Sequence, residues 1–322
     1  MLLLIGTEAL AQETTWELRD NRWEQVNSAE TTQPVADPTL DEGEQLLNQG
    51  KYKAALKILI PWIEVQQGSP VYDRGLYLMA EAYYQKGDRI RSFYYCDQLM
   101  DQYPTSILFY PALEKQYQIA DAYLNGYKRR FLGIPFLHAY HEALEMMFRI
   151  QQRSPGSPLA EKALLRTADW YYADSQFDFA SDAYTSYIRT YPRSPKIPEV
   201  KLRQAFSYLA QFRGLRFDAT PIIDARQQLL EIQANYPELA DEENVALVLS
   251  RIDDTFARKL FVTADFYKRT NEPRGAAYTY QYLIKRYPET HEASKAQAEL
   301  DKLPEWARDE AAAPPPSLDE GE

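Results

Sequence analysis

From about residue 39 to about residue 303 the chain repeats one pattern of small, aromatic and proline positions. Ala80, Ala168 and Ala264 are each followed three positions later by tyrosine (Tyr83, Tyr171, Tyr267) and 24 positions later by proline (Pro104, Pro192, Pro288). Three positions is one helical turn, so alanine and tyrosine share a face. A second small residue stands 12 positions before each of five prolines: Ser92, Ala143, Ala180, Ala225 and Ala276 before Pro104, Pro155, Pro192, Pro237 and Pro288. Proline cannot continue a helix and pushes its predecessor out of the α region, so each copy predicts a pair of helices stopped at the proline. Tyrosine precedes four of these prolines, at Tyr103, Tyr191, Tyr236 and Tyr287. Ser and Thr follow several of them, as in Pro104-Thr105-Ser106 and Pro192-Arg193-Ser194, and predict N-caps for the next helix.

Two copies are stretched. Ala120 lies 35 residues before Pro155, and Ala205 lies 32 before Pro237. The excess falls between the two helices of each pair and predicts insertions near 124–138 and 211–221. The first carries Lys128, Arg129 and Arg130 beside Phe131, Ile134 and Phe136, and the second carries Arg213, Arg216 and Phe217. An earlier, looser copy has Gly50-Lys51-Tyr52 and Ala55, with Gln67 where proline would stand.

This spacing is similar to that of the tetratricopeptide repeat (TPR), two antiparallel helices in roughly 34 residues with small side chains where they cross. The expected fold is all-α, a superhelix (α-solenoid) of five to six helical hairpins, the first degenerate. Ala80, Ala120, Ala168, Ala205 and Ala264 are its first packing positions, and Ala143, Ala180, Ala225 and Ala276 its second. A single hairpin cannot bury its apolar stripe, whereas a stack does so and leaves a trough lined by the first helices. Counting from each alanine places Arg74, Tyr77, Glu81, Tyr84, Tyr117, Asp121, Lys162, Leu165, Asp169 and Tyr172 there. Tyrosine offers a flat apolar face and a polar tip, so Tyr77, Tyr84, Tyr117 and Tyr172 suit an extended, aromatic-rich peptide. Packing between repeats is the alternative use of the same rings.

Composition narrows the function. The chain has 322 residues, 45% of them hydrophobic, with only 12 Gly but 25 Tyr, which disfavours a fold built on tight turns. The net charge of −11 repels phosphate backbones, so nucleic acid is not an expected partner. The single cysteine, Cys96, excludes an internal disulfide and reads as a small buried hydrophobe. His138 and His141, with Glu142 and Glu145, read as one solvated helical face. Their spacing is not that of the metalloprotease helix, so no metal or other cofactor is expected. No nucleophile elbow, phosphate loop or dinucleotide fingerprint occurs, and the carboxylates are scattered, so no enzyme activity is expected.

At the ends, Met1–Ile5 is apolar and Ala9-Leu10-Ala11 precedes Gln12 like a small-x-small cleavage site, which predicts a truncated signal peptide over 1–11 and export. Residues 12–38 form a polar leader. Thr15–Leu18 and Arg22–Val26 around Asp20-Asn21 read there either as a small hairpin or as disordered chain. The repeats occupy 39–303, and 304–322 read as a disordered acidic, proline-rich tail.

The C-terminal half carries a narrower resemblance. The Tyr-Pro unit ends, the segment Pro221-Ile222-Ile223-Asp224-Ala225-Arg226, and the stretch from Leu249 to Tyr267 resemble BamD-type proteins. In that family a helix with a DxLA-like pattern leads into a second reading A-x-x-Y-Y. Here Ile252-Asp253-Asp254-Thr255-Phe256-Ala257-Arg258 precedes Ala264-Asp265-Phe266-Tyr267-Lys268-Arg269. The resemblance implies a periplasmic, outer-membrane-associated scaffold for β-barrel assembly. Its N-terminal repeats would receive unfolded outer-membrane proteins or extended peptides. Its C-terminal repeats would contact the barrel-bearing insertase subunit and other assembly components. Peripheral membrane contact through the 127–136 loop is compatible with this. Family members are usually anchored through a cysteine after the signal peptide. Here Gln12 stands at that place, so a lipid anchor is not expected from the sequence as given. The alternatives are a Tol-associated envelope adaptor, which usually has an N-terminal coiled coil that residues 12–38 do not suggest, and a cytoplasmic TPR adaptor.

Overall fold

The computed structural model describes residues 16–19, 22–25, 36–131, 134–214 and 217–308, with side chains over 36–128, 138–214 and 217–308. The signal-peptide assignment at 1–11, the Asp20-Asn21 turn, the basic and aromatic side chains of 129–136, and the tail from 309 onward lie outside the described residues. In the leader, strands β1 (Trp16–Arg19) and β2 (Arg22–Gln25) pair antiparallel, with Trp16 opposite Gln25.

The chain divides into two compact units, Met1–Arg166 and Thr167–Glu322. In the first, three helical hairpins follow one another: α1 (Pro38–Asn48) with α2 (Tyr52–Val65), α3 (Tyr72–Lys86) with α4 (Arg89–Gln102), and α5 (Phe109–Leu124) with α6 (Tyr140–Arg153). The insertion between α5 and α6 forms an antiparallel hairpin, β3 (Arg129–Phe131) with β4 (Ile134–Leu137). Helix α7 (Pro158–Ala173) carries the boundary between the units. In the second unit follow α8 (Phe177–Thr190), the pair α9 (Ile197–Gln211) and α10 (Thr220–Asn235), a short α11 (Pro237–Glu242), the pair α12 (Val245–Arg269) and α13 (Pro273–Arg286), then α14 (His291–Leu300) and α15 (Glu305–Arg308).

Every small residue of the two packing series is buried. Ala80, Ala120, Ala168, Ala205 and Ala264 expose none of their surface, nor do Ala55, Ser92, Ala143, Ala180, Ala225 and Ala276. A methyl group is all that two backbones in contact leave room for, and larger side chains there would hold the helices apart. Gly75 shows the same constraint between α2 and α3. A Cβ built on it would stand 2.4 Å from the Trp62 ring, which is itself tied down by an Nε1–H bond to Asp37 of 2.8 Å.

The turns inside the hairpins share one chemistry. At five of them a residue two or three positions past the helix end returns its N–H to a carbonyl five positions back: Lys51 to Leu46, Asp88 to Tyr83, Tyr127 to Ala122, Gln176 to Tyr171 and Glu272 to Tyr267. This closure needs a left-handed residue just before it. Glycine supplies it at Gly50, Gly87 and Gly126, whereas Ser175 (φ 60°) and Asn271 (φ 62°) do so in the second unit.

Two expectations are corrected and two are extended. Ser106 and Ser194 are not N-caps, because α5 and α9 begin at Phe109 and Ile197. Their hydroxyls accept from the N–H of Leu108 (3.0 Å) and Lys196 (3.2 Å) instead, shaping the turn before the helix. Pro237 does not only end a helix: at the first position of α11 it starts one, where its missing N–H has no helical partner to lose. The helical stretch from Leu249 to Tyr267 extends at both ends into one continuous helix, α12, since no Gly or Pro interrupts 245–269. Residues 305–308, assigned to the tail, form α15, where Ala307 is buried and Gln281 Nε2–H donates to the Arg308 carbonyl.

Candidate protein-interaction surfaces

The residue after the first small alanine is acidic in four copies: Glu81, Asp121, Asp169 and Asp265. In three of them a cation from the following first helix reaches it. Lys115 Nζ lies 2.6 Å from Glu81, Arg166 Nε 2.6 Å from Asp121, and Arg203 Nη1 2.5 Å from Asp169. The partners are 34, 45 and 34 residues apart, one repeat length, with the middle pair lengthened by the β3–β4 insertion. Arg74 continues the series backward to Asp41 and Glu44 of α1.

These ion pairs occupy much of the face on which the expected peptide groove was placed. Arg74, Glu81 and Asp121 are held in bridges within the first unit. Tyr84 lies beneath two cations, with the Arg89 guanidinium 3.4 Å and Lys115 Nζ 4.4 Å from its ring centre. Tyr117 is buried at 7% exposure with Lys162 4.6 Å over its ring, so it is a core residue and not a groove wall. Tyr77 and Leu165 are half-buried. Burial, then Glu81, Cys96 and Glu114, push the Tyr77 phenol up to about 12. Burial likewise pushes the Cys96 thiol up to about 12, which leaves it protonated and inert near neutral pH.

In the second unit Asp169 and Tyr172 lie together in an open cleft of about 570 Å³. Its walls come from α7, α9 and α11, with Leu202, Phe206 and Leu239 beside Tyr172. Asp169 accepts from the Tyr184 hydroxyl at 2.8 Å as well as from Arg203. Burial first, and then the Asp169 charge, drive the Tyr184 phenol well above its ordinary value. Tyr280 and Asp265 repeat this bond, again 15 residues apart, and the Tyr280 phenol is raised by the same causes. Glu199, Glu242 and Glu243 complete the rim of the cleft.

A third surface was not foreseen as a surface. Helix α12 turns outward a stripe of Leu247, Arg251, Thr255, Arg258, Val262, Phe266 and Arg269, spaced by three and four residues. Leu247, Val262 and Phe266 are 54%, 58% and 54% exposed, and the Arg258 side chain is 75% exposed, with Glu292 at 4.0 Å. The stripe carries no acid, although the whole chain has a net charge of −11. Its signal in the sequence was the three-and-four spacing of arginine and apolar residues, with Thr255 among them, across 23 positions.

His138 and His141 do not share a helical face, which corrects the reading from spacing. Helix α6 starts at Tyr140, and His138 lies before it, stacked on the Tyr140 ring at 5.1 Å between centres. Among the described residues no group of three or more His, Cys, Asp or Glu is placed to hold a metal ion. No described helix is long and apolar enough to cross a membrane.

Residues 137–303 match the model of the family YfiO, described as outer membrane lipoprotein, and residues 74–106 match a tetratricopeptide repeat model. No curated protein matches the chain. Among solved structures, a thermophilic TPR protein of Thermus thermophilus is similar at 17% identity over 66% of this chain and 96% of that one, with a TM-score of 0.30. PilF of Pseudomonas aeruginosa is similar at 14% identity over 81% and 96%, with a TM-score of 0.30. MamA AMB-1 is similar at 15% identity over 59% and 88%, with a TM-score of 0.33.

Proposed function

The chain belongs to the YfiO family of outer membrane lipoproteins, and on that premise we propose that it is a non-catalytic periplasmic scaffold in the assembly of outer-membrane β-barrel proteins. The open first-helix face of its second unit receives extended segments of unfolded barrel proteins. Its C-terminal helices dock on the barrel-bearing insertase subunit.

The observation that supports this reading best is the α12 stripe. It lies inside the matched residues, and it pairs Arg251, Arg258 and Arg269 with Leu247, Val262 and Phe266. Arginine and aromatic residues are the types enriched at interface centres, where a guanidinium offers both stacking surface and directed hydrogen bonds. Three exposed apolar side chains on one line also cost solvation unless a partner covers them. A catalytic reading has no comparable support, and Glu81, Asp121 and Asp169 are already engaged by cations.

The test is capture of the insertase subunit's periplasmic domains by purified full-length chain. The triple variant Arg251→Glu, Arg258→Glu, Arg269→Glu changes only surface positions and keeps the helical circular-dichroism signal. It is expected to weaken capture about a hundredfold, since truncating a few central interface arginines typically costs ~2 kcal/mol or more. Capture undiminished in the variant, or no capture by the unaltered chain, would refute the reading.

A further inference from the structure

We infer that the α7–α9–α11 cleft binds an extended polypeptide segment in which an arginine or lysine stands next to an aromatic or aliphatic residue. This rests on the scaffold reading above and names what one part of the scaffold takes.

The cleft has an apolar floor. Leu202 is buried, and Phe206 and Leu239 are half-buried. Tyr172 is 36% exposed and held edge-on against Phe177 with ring centres 5.5 Å apart. Such a floor accepts a side chain lying flat, because a tyrosine ring gives both dispersion contact and a negative π face for a cation.

The charges decide which side chain. Arg203 and Asp169 neutralise each other, and the Tyr184 hydroxyl takes a further acceptor position on the same Asp169 oxygen. Neither charge of that pair remains free to recognise an incoming group. Glu199, Glu242 and Glu243 are different: all three are exposed, and none has an ion-pair partner among the described residues. Three uncompensated carboxylates therefore rim an apolar floor. A phosphate or carboxylate ligand would be repelled. A purely apolar segment would leave the rim without partners. Arginine and lysine match both features, since their aliphatic stems lie along apolar surface while the charged head reaches acids at the edge. The volume of about 570 Å³ holds two or three side chains and not a folded domain, which fits an extended segment presenting neighbouring residues.

The experiment is fluorescence anisotropy of two end-blocked ten-residue peptides, alternating Lys-Tyr and alternating Glu-Tyr, with the full-length chain. The Lys-Tyr peptide is expected to bind and the Glu-Tyr peptide to fail. Raising NaCl from about 50 mM to about 500 mM is expected to weaken binding severalfold, because rim charges are screened at that ionic strength. The double variant Glu242→Lys, Glu243→Lys is expected to lower affinity about tenfold or more, through opposed charge at the rim. Tyr172→Ala is expected to lower it about fivefold through the lost ring contact. Equal affinity for both peptides, or affinity unchanged in the double variant, would overturn the inference. Capture of the insertase domains, measured on the same variants, reports separately on the scaffold reading. The double variant leaves that capture intact as long as the scaffold reading holds, so a failure of the peptide result alone overturns only the cleft assignment.

Discussion

The two units use one repeat register and finish their first-helix faces differently. In the first unit each acid after a packing alanine meets a cation from the next first helix, so α1, α3, α5 and the start of α7 are laced by Arg74, Lys115 and Arg166. In the second unit the series stops at α9, because Phe206 and not an acid follows Ala205. No carboxylate there calls for a cation from the next helix, and Phe206 faces the open cleft instead. A single change of residue type at one repeat position thus separates a laced face from an open one. The second unit also departs in length. Its α12 runs 25 residues, against 14 to 16 in α3 through α6, and presents the arginine stripe along that extra length.

Both units depend on the same buried alanine contacts. Ala80→Leu in the first and Ala205→Leu in the second each force three carbons into a contact with no free surface. Each is expected to cost about 3 kcal/mol in urea unfolding followed by circular dichroism, at the upper end for overpacking. A cost below about 0.5 kcal/mol, the range of ordinary surface substitutions, would mean that helices do not touch there.

A smaller effect is expected from pH in the second unit. The Tyr184 phenol is raised in the folded state, so its contribution is fully present below the unfolded value of 10.0 and is lost as the pH climbs above it. Tyr184→Phe is expected to cost ~1–2 kcal/mol at neutral pH, for a hydrogen bond to a carboxylate, and to flatten the decline in stability above about pH 10. An unchanged alkaline slope in the variant would show that Tyr184 is not held neutral by Asp169.

The mildest change concerns the turns. Ser175 adopts the left-handed conformation that glycine supplies at the equivalent turns of the first unit. Ser175→Gly relieves strain of ~1 kcal/mol and forfeits part of that to the unfolded chain, so a gain of about 0.5 kcal/mol is expected in thermal unfolding.

The hairpin register was legible because a contact between two backbones imposes the same requirement in every copy, and so leaves a count of 12 and 24 in the sequence. The insertions were legible as surplus in that count, at Pro155 and Pro237. The β3–β4 hairpin inside the first was not, since two strands of three and four residues leave little alternation to read. Tyr117 shows a second limit: position in the repeat gives the face of a helix, but its depth depends on Lys162 of a later helix lying over it. The ladder of ion pairs was in principle readable, since acid and cation recur one repeat apart. The α12 stripe was hidden for a different reason: an apolar residue on a repeat helix is expected to be buried, and only the packed structure leaves Leu247, Val262 and Phe266 uncovered.

The open second unit, and not the laced first, is proposed to carry the docking surface for the insertase subunit. Hydrogen–deuterium exchange of the full-length chain, with and without the insertase's periplasmic domains, tests it most directly. Added protection concentrated in residues 245–269 is the predicted result. Protection confined to α3 and α5, with α12 exchanging as in the free chain, would contradict it.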